Sequence, residues 1–183
     1  DKTAAGDIWD AFDGAVATGV TGVAVSDTGP GDNSALYTLP TIMDGVELTA
    51  SYKPQGTGAA SETGYGITYT GIEGLSASYG STDKDTGATG TSGDQTVWKL
   101  SYAYGPITAS ASNNDYDVGT TSSDQETSSY KISYTVSDEL SVSYGTEEIQ
   151  KGGSTIDAEY TAITASYTAG GMTLTAAMQD ADN

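Results

Sequence analysis

The stretch Trp98-Lys99-Leu100-Ser101-Tyr102-Ala103-Tyr104-Gly105-Pro106-Ile107-Thr108-Ala109-Ser110-Ala111-Ser112 decides the fold class. Up to Tyr104 every second residue is Trp, Leu or Tyr, and from Ile107 onward every second residue is Ile or Ala. The residues between are Ser101, Ser110 and Ser112, with Lys99, Ala103 and Thr108. Successive side chains of a strand point to opposite faces, so this spacing describes two strands, each with one apolar and one wetted face. A helix would scatter the Ser and Thr over both of its faces. Gly105-Pro106 between the two runs reads as a short turn.

The same alternation extends in both directions. Val46, Leu48, Ala50, Tyr52; Tyr65, Ile67, Tyr69; and Leu75, Ala77, Tyr79 precede the stretch. Tyr130, Ile132, Tyr134, Val136; Leu140, Val142, Tyr144; Ile163, Ala165, Tyr167; and Met172, Leu174, Ala176, Met178 follow it. The opposite parity is Ser, Thr and Gly, with Glu47, Lys53, Lys99 and Lys131 among them. Ten strands are expected, near 34–39, 46–53, 65–70, 74–80, 97–104, 107–112, 130–136, 140–145, 160–168 and 172–178. Short turns (69–75, 104–107, 136–140, 167–172) alternate with long polar loops near Ser81–Thr96, Asn113–Ser129 and Thr146–Glu159. In an up-and-down barrel this collects the short turns at one end and the long loops at the other, as in transmembrane barrels. With spanning strands of about 9–11 residues required, the strands are expected to run on into those loops.

Composition removes whole classes of function. The 183 residues include 25 Asp and Glu against 6 Lys, with no Arg, His or Cys, for a formal charge of -19. Disulfides, thiolate or imidazole metal sites and Ser-His-Asp or Cys-His nucleophiles are thereby excluded. Nucleic acid is not an expected partner, because phosphate binding needs clustered basic residues. No phosphate-binding loop, dinucleotide fingerprint or nucleophile elbow occurs, and no enzymatic activity is expected. No apolar run reaches the roughly 18 residues of a membrane helix, but a β-barrel buries only alternate side chains in lipid.

Barrel and soluble β-sandwich both alternate, and the aromatic residues separate them. Tyr69, Tyr79, Trp98, Tyr104, Tyr130, Tyr134, Tyr144 and Tyr167 sit toward strand ends, while strand centres are Ala, Val, Leu or Ile. That is the layout of interfacial aromatic girdles, whereas a sandwich core places large rings centrally. The small hydroxylic face opposite suits a water-filled lumen. The expected fold is all-β: an antiparallel transmembrane up-and-down β-barrel over residues 34–183, preceded by a segment, 1–33, that does not alternate.

The join between those parts carries a family resemblance. Asn33-Ser34-Ala35-Leu36-Tyr37-Thr38-Leu39-Pro40, then Gly45 leading a strand that ends in Tyr52, resembles the general porins of Gram-negative outer membranes. In that family such a segment follows a long loop that folds into the barrel and narrows the channel. The resemblance implies that residues 1–33 form this constriction loop, with Asp7, Asp10 and Asp13 as its acidic ridge. It further implies that the strands correspond to the sixth to fifteenth of a sixteen-stranded porin barrel, in a homotrimer in the Gram-negative outer membrane. The lipid of that membrane, small hydrophilic solutes and cations are the implied partners, and no cofactor is implied. The terminal strand with a final aromatic residue, usual in the family, and the family's Arg-lined wall have no counterpart here.

The charged residues then acquire expected roles. A ring of carboxylates at a low-dielectric constriction selects cations. Glu47, Lys99 and Lys131 fall on the lumen parity. Asp83, Asp85, Asp115, Asp117, Glu147 and Glu148 are expected in the outer loops, where oxygen-rich loops can take Ca²⁺, although no spacing matches a known calcium repeat. The competing class is a secreted, Ca²⁺-stabilised β-rich adhesion or surface-layer protein, which would be soluble without detergent and would conduct nothing.

Overall fold

The computed structural model describes residues 34–54, 61–85, 92–117, 124–153 and 157–182. Asp7, Asp10 and Asp13, and the proposed loop 1–33 around them, lie outside these. Ten strands follow in order: β1 (Ala35–Thr38), β2 (Val46–Lys53), β3 (Ser61–Tyr69), β4 (Leu75–Asp85), β5 (Gly93–Tyr104), β6 (Ile107–Asp117), β7 (Gln125–Thr135), β8 (Leu140–Lys151), β9 (Ala158–Ala169) and β10 (Met172–Asp182). Each pairs antiparallel with the next in one ten-stranded sheet. Among the described residues the sheet is open, β1 and β10 each pairing on one side only.

All ten expected strands are present, but their loop-side ends differ. β4 continues to Asp85 and β5 starts at Gly93; β6 reaches Asp117 and β7 starts at Gln125; β8 reaches Lys151 and β9 starts at Ala158. The long loops expected at 81–96, 113–129 and 146–159 therefore shrink to 86–92, 118–124 and 152–157. The reason is that hydrogen-bonded pairing continues after the apolar contrast has ended. Thr82 pairs with Gln95, Asn114 with Thr127, and Glu148 with Glu159. These segments are polar, yet they are strands.

The register also tilts the sheet. Starting from Val46, the first residue of β2, cross-strand partners run Tyr69, Ala77, Leu100, Ala111, Tyr130, Thr146, Thr161 and Asp180. That row starts at the short-turn end of β2 and arrives at Asp180, eight residues into β10 from Met172. One residue of stagger per strand, with a rise of about 3.4 Å and a spacing of about 4.8 Å, inclines the strands by about 35° to the barrel axis, the lower limit usual for closed barrels.

The apolar parity faces outward and is exposed, from Tyr52, Tyr65, Tyr79 and Trp98 round to Tyr130, Tyr144 and Ile163. Tyr79 and Trp98 are direct cross-strand partners, and the Tyr65 and Tyr79 rings lie 6.4 Å apart. Tyr104, Tyr134 and Tyr167 are exposed near the short-turn ends, with half-buried Tyr69 on the same tier. Every expected girdle residue thus takes an outward position in one of two tiers, joined by Tyr65 and Tyr102.

Above the upper tier the parity of hydrophobicity inverts. Val97, Tyr116, Ile149, Ala158 and Tyr160 are inward and buried, with Ile149, Ala158 and Tyr160 in one cluster. Their outward neighbours are Thr96, Asp115, Asp117, Glu148 and Glu159. In a barrel that spans a membrane, apolar groups belong outside within the lipid, and beyond it the outer surface meets water, so polar residues take the outward positions.

Two short turns impose glycine. Gly74 has φ +78, and a Cβ there would run into the Ala103 carbonyl; its own carbonyl accepts the Ala103 N–H at 2.8 Å. Gly105 has φ +57, but nothing lies within 4 Å of its Cβ position. Left-handed backbone costs an L-residue roughly 1–2 kcal/mol. Gly105→Ala in the complete barrel is expected to lower unfolding stability by about that amount. Gly74→Ala is expected to cost more, roughly 2–4 kcal/mol with the clash, read from urea unfolding in lipid vesicles.

Candidate pore wall

The inward face is organised as cross-strand rows. One runs Glu47, Thr68, Ser78, Lys99, Ser112, Ser129, Glu147, Tyr160 and Ala181 across β2 to β10. The next contains Ser76, Ser101, Ser110, Lys131, Gly145, Ala162 and Gln179. Two of the expected lumen residues, Glu47 and Lys99, therefore share a row, and Lys131 stands in the adjacent one. Hydroxyls fill the positions between, as period-two Ser and Thr require.

Neighbouring strands pair their polar groups along these rows and between them. Thr68 Oγ1 and Ser78 Oγ are 2.9 Å apart, and Thr168 and Thr173 likewise 2.9 Å. Gln95 Nε2 donates to Asn114 Oδ1 at 2.7 Å. Ser129 Oγ donates to Glu147 Oε2 at 2.6 Å, with the Glu147 side chain wholly buried. Lys53 Nζ meets Glu62 Oε1 at 3.2 Å. Lys84 is the cross-strand partner of Glu62 on its other side, so the carboxylate is flanked by two ammonium-bearing strands. Such a wall satisfies the backbone across strands and presents hydroxyl, amide and isolated charged groups inward. It is suited to wetting; among the described residues no nucleophile–base pair is assembled on it.

A model of the Gram-negative porin family matches residues 1–183, the whole of the chain. The chain belongs to that family. Solved structures agree in fold. A porin refined at 1.8 Å superposes with TM-score 0.66 at 17% identity, covering 81% of this chain and 56% of the other. OmpT of Vibrio cholerae, folded in vitro, gives 0.62 at 16% identity over 81% and 53%, and its loop L8 deletion mutant gives 0.61 at 16% over 81% and 57%. The chain thus spans little more than half the length of these porins. Comparison with curated protein sequences gives no match. Family membership places the protein in the Gram-negative outer membrane.

On this porin wall the charges are segregated. All five described lysines, Lys53, Lys84, Lys99, Lys131 and Lys151, occupy inward positions, beside the inward carboxylates Glu47, Glu62 and Glu147. Outward positions on the strands carry carboxylates alone: Asp83, Asp85, Asp94, Asp115, Asp117, Glu126, Glu148, Glu159, Asp180 and Asp182, all exposed. Each lies eight to ten residues from its strand's short-turn end, beyond the upper tyrosines, so together they form an acidic collar around β4 to β10.

The collar corrects an expectation. Asp83, Asp85, Asp115, Asp117, Glu147 and Glu148 are strand residues, not loop residues. Glu147 and Glu148, adjacent in sequence, even face opposite ways. Sequence reasoning missed Glu62, Gln95, Asn114 and Glu147 as wall residues. The available signal was the parity set by Val142 and Tyr144, which continues through Thr146 and Glu148 and leaves Glu147 inside. Among the described residues no group of three carboxylates converges in metal-holding geometry.

Like charges face one another in the collar: Asp83 opposite Asp94, Asp94 opposite Asp117, and Asp115 opposite Glu126. Such pairs are destabilising. Asp94 is raised above the ordinary 3.8 by loss of hydration, then by a hydrogen bond shared with Asp83 and the charges of Asp83 and Asp117. Asp115 is raised by loss of hydration and by Glu126, Asp117 and Asp124. A carboxyl whose pKa is raised on folding contributes stability that is complete below its unfolded value and lost as pH climbs through its folded value. Asp94→Asn in the complete protein is therefore expected to raise the urea midpoint at pH 7. The gain should vanish as pH falls toward 3.8, which parallel urea titrations would read.

Proposed function

We propose that the complete barrel is a water-filled channel for passive diffusion of small hydrophilic solutes, with a preference for cations. The observation that carries the channel reading is the inward face: hydroxyl-lined rows behind a lipid-facing belt, in a chain of the porin family. It performs sieving and electrostatic bias, not bond chemistry, and needs no cofactor. A homotrimer is the proposed assembly, supported by a trimer form solved for OmpT of Vibrio cholerae, whose TM-score to this chain is 0.58.

The cation preference has a sharply located source. The described inner wall carries five lysines against three glutamates, so it opposes that preference. Ten of the chain's 25 carboxylates sit outside on the collar, separated from the lumen by the wall. The proposed preference therefore rests on Asp7, Asp10 and Asp13 and works against Lys99 and Lys131. Charge focused by a low-dielectric wall sets selectivity over short range.

The test is the reversal potential of the full-length protein in a planar bilayer under a salt gradient. Cation preference should be lost when Asp7, Asp10 and Asp13 become Asn, and should strengthen when Lys99 and Lys131 become Gln. Conductance with selectivity unchanged by the triple substitution would overturn the acidic-constriction assignment. No conductance from folded, detergent-dependent protein would overturn the channel itself.

A further inference from the structure

The outward face is not uniformly bulky. On β6 its positions inside the lipid band are Ala109 and Ala111, between Leu100 and Tyr102 on β5 and Tyr130 and Ile132 on β7. The result is a groove of about 420 Å³ with a lining that is nearly all hydrocarbon, closed on its far side by Tyr144 and Thr146 of β8. β5 and β7 stand about 9.6 Å apart, twice the spacing between neighbouring strands. Once the flanking side chains lean inward, one hydrocarbon chain fits over the alanine floor and two do not.

The upper end of the groove has a specific chemistry. Asn113, next outward on β6, donates through Nδ2 to Glu126 Oε1 at 2.8 Å and to Ser128 Oγ at 3.0 Å. Asp115 faces Glu126 across the strands, and Glu148 faces Ser128. Three exposed carboxylates on three adjacent strands therefore stand over the groove, while Lys131, which borders it, takes an inward position on β7. A headgroup carrying only a phosphate is repelled there, while an ammonium is attracted. We propose that this groove seats one acyl chain of an amine-bearing membrane lipid, its ammonium held beneath the Asp115, Glu126 and Glu148 carboxylates. The proposal rests on the outer-membrane reading for its lipid surroundings but not on any selectivity of the pore.

The experiment uses full-length protein extracted into detergent with an equimolar mixture of phosphatidylethanolamine and phosphatidylglycerol of matched chains, and counts retained lipids by native mass spectrometry. One retained phosphatidylethanolamine per protomer, favoured severalfold over phosphatidylglycerol as expected for an exposed ion pair, is the supporting result. Ala109→Leu with Ala111→Leu should abolish it, while Ala165→Leu, outward but away from the groove, should not. Glu126→Gln with Glu148→Gln should keep the lipid but erase the headgroup preference. Heat-modifiable gel migration confirms folding of each variant, and conductance of the same preparations tests the channel reading separately. Equal retention of both lipids by the unsubstituted protein, or retention indifferent to the alanine substitutions, would overturn the proposal. So would a change of oligomeric state on filling the groove, which would assign it to a second copy.

Discussion

Within lipid no water is available to a backbone N–H or C=O, so each must find its partner on the neighbouring strand. Everything else in the structure follows from that requirement. It forces extended strands, and extended strands give every side chain one of two faces. It also pins the register, because a slip of one residue would turn Trp98 inward and Lys99 into hydrocarbon. Paired strands with their fixed parity therefore determine at once which residues line the interior and which meet the membrane.

This is why the fold was legible where the membrane does the sorting and illegible just beyond. Trp98 to Ser112 announces its two faces because lipid and water demand opposite residues. Above the upper tyrosines the apolar residues move to the inward face, as Val97, Tyr116, Ile149 and Tyr160 show, and the outward alternation that marked the strands ends. Gln95, Asn114 and Thr127 look like loop composition, yet they continue the ladder. Glu147 and Glu148 show the limit most clearly: their opposite orientations depend on counting from Tyr144, not on anything in the pair itself. The outward position of the tyrosines was readable because each keeps the parity of its strand. Asp7, Asp10 and Asp13 lie outside the described residues, so their role rests on sequence and family.

Charge tells a related story. A formal charge of -19 suggests an acidic pore, but total charge carries no information about facing. The parity does. Placed on the strands, the lysines fall inside and the collar carboxylates outside, so the bulk acidity describes the coat more than the conduit. Like charges are set opposite one another in the collar at a cost to stability, which stays small because water and salt screen them. The same juxtaposition inside the lipid band would be ruinous.

The one-residue stagger per strand has a consequence for anything passing through. Glu47 stands one residue from the short-turn end of β2, Lys99 five from that of β5, and Glu147 seven from that of β8. A single hydrogen-bonded row therefore delivers its charges at successive depths as it goes round the wall. The interior resembles a screw thread more than a stack of rings, with negative, positive and negative groups set at successive depths and each on a different bearing.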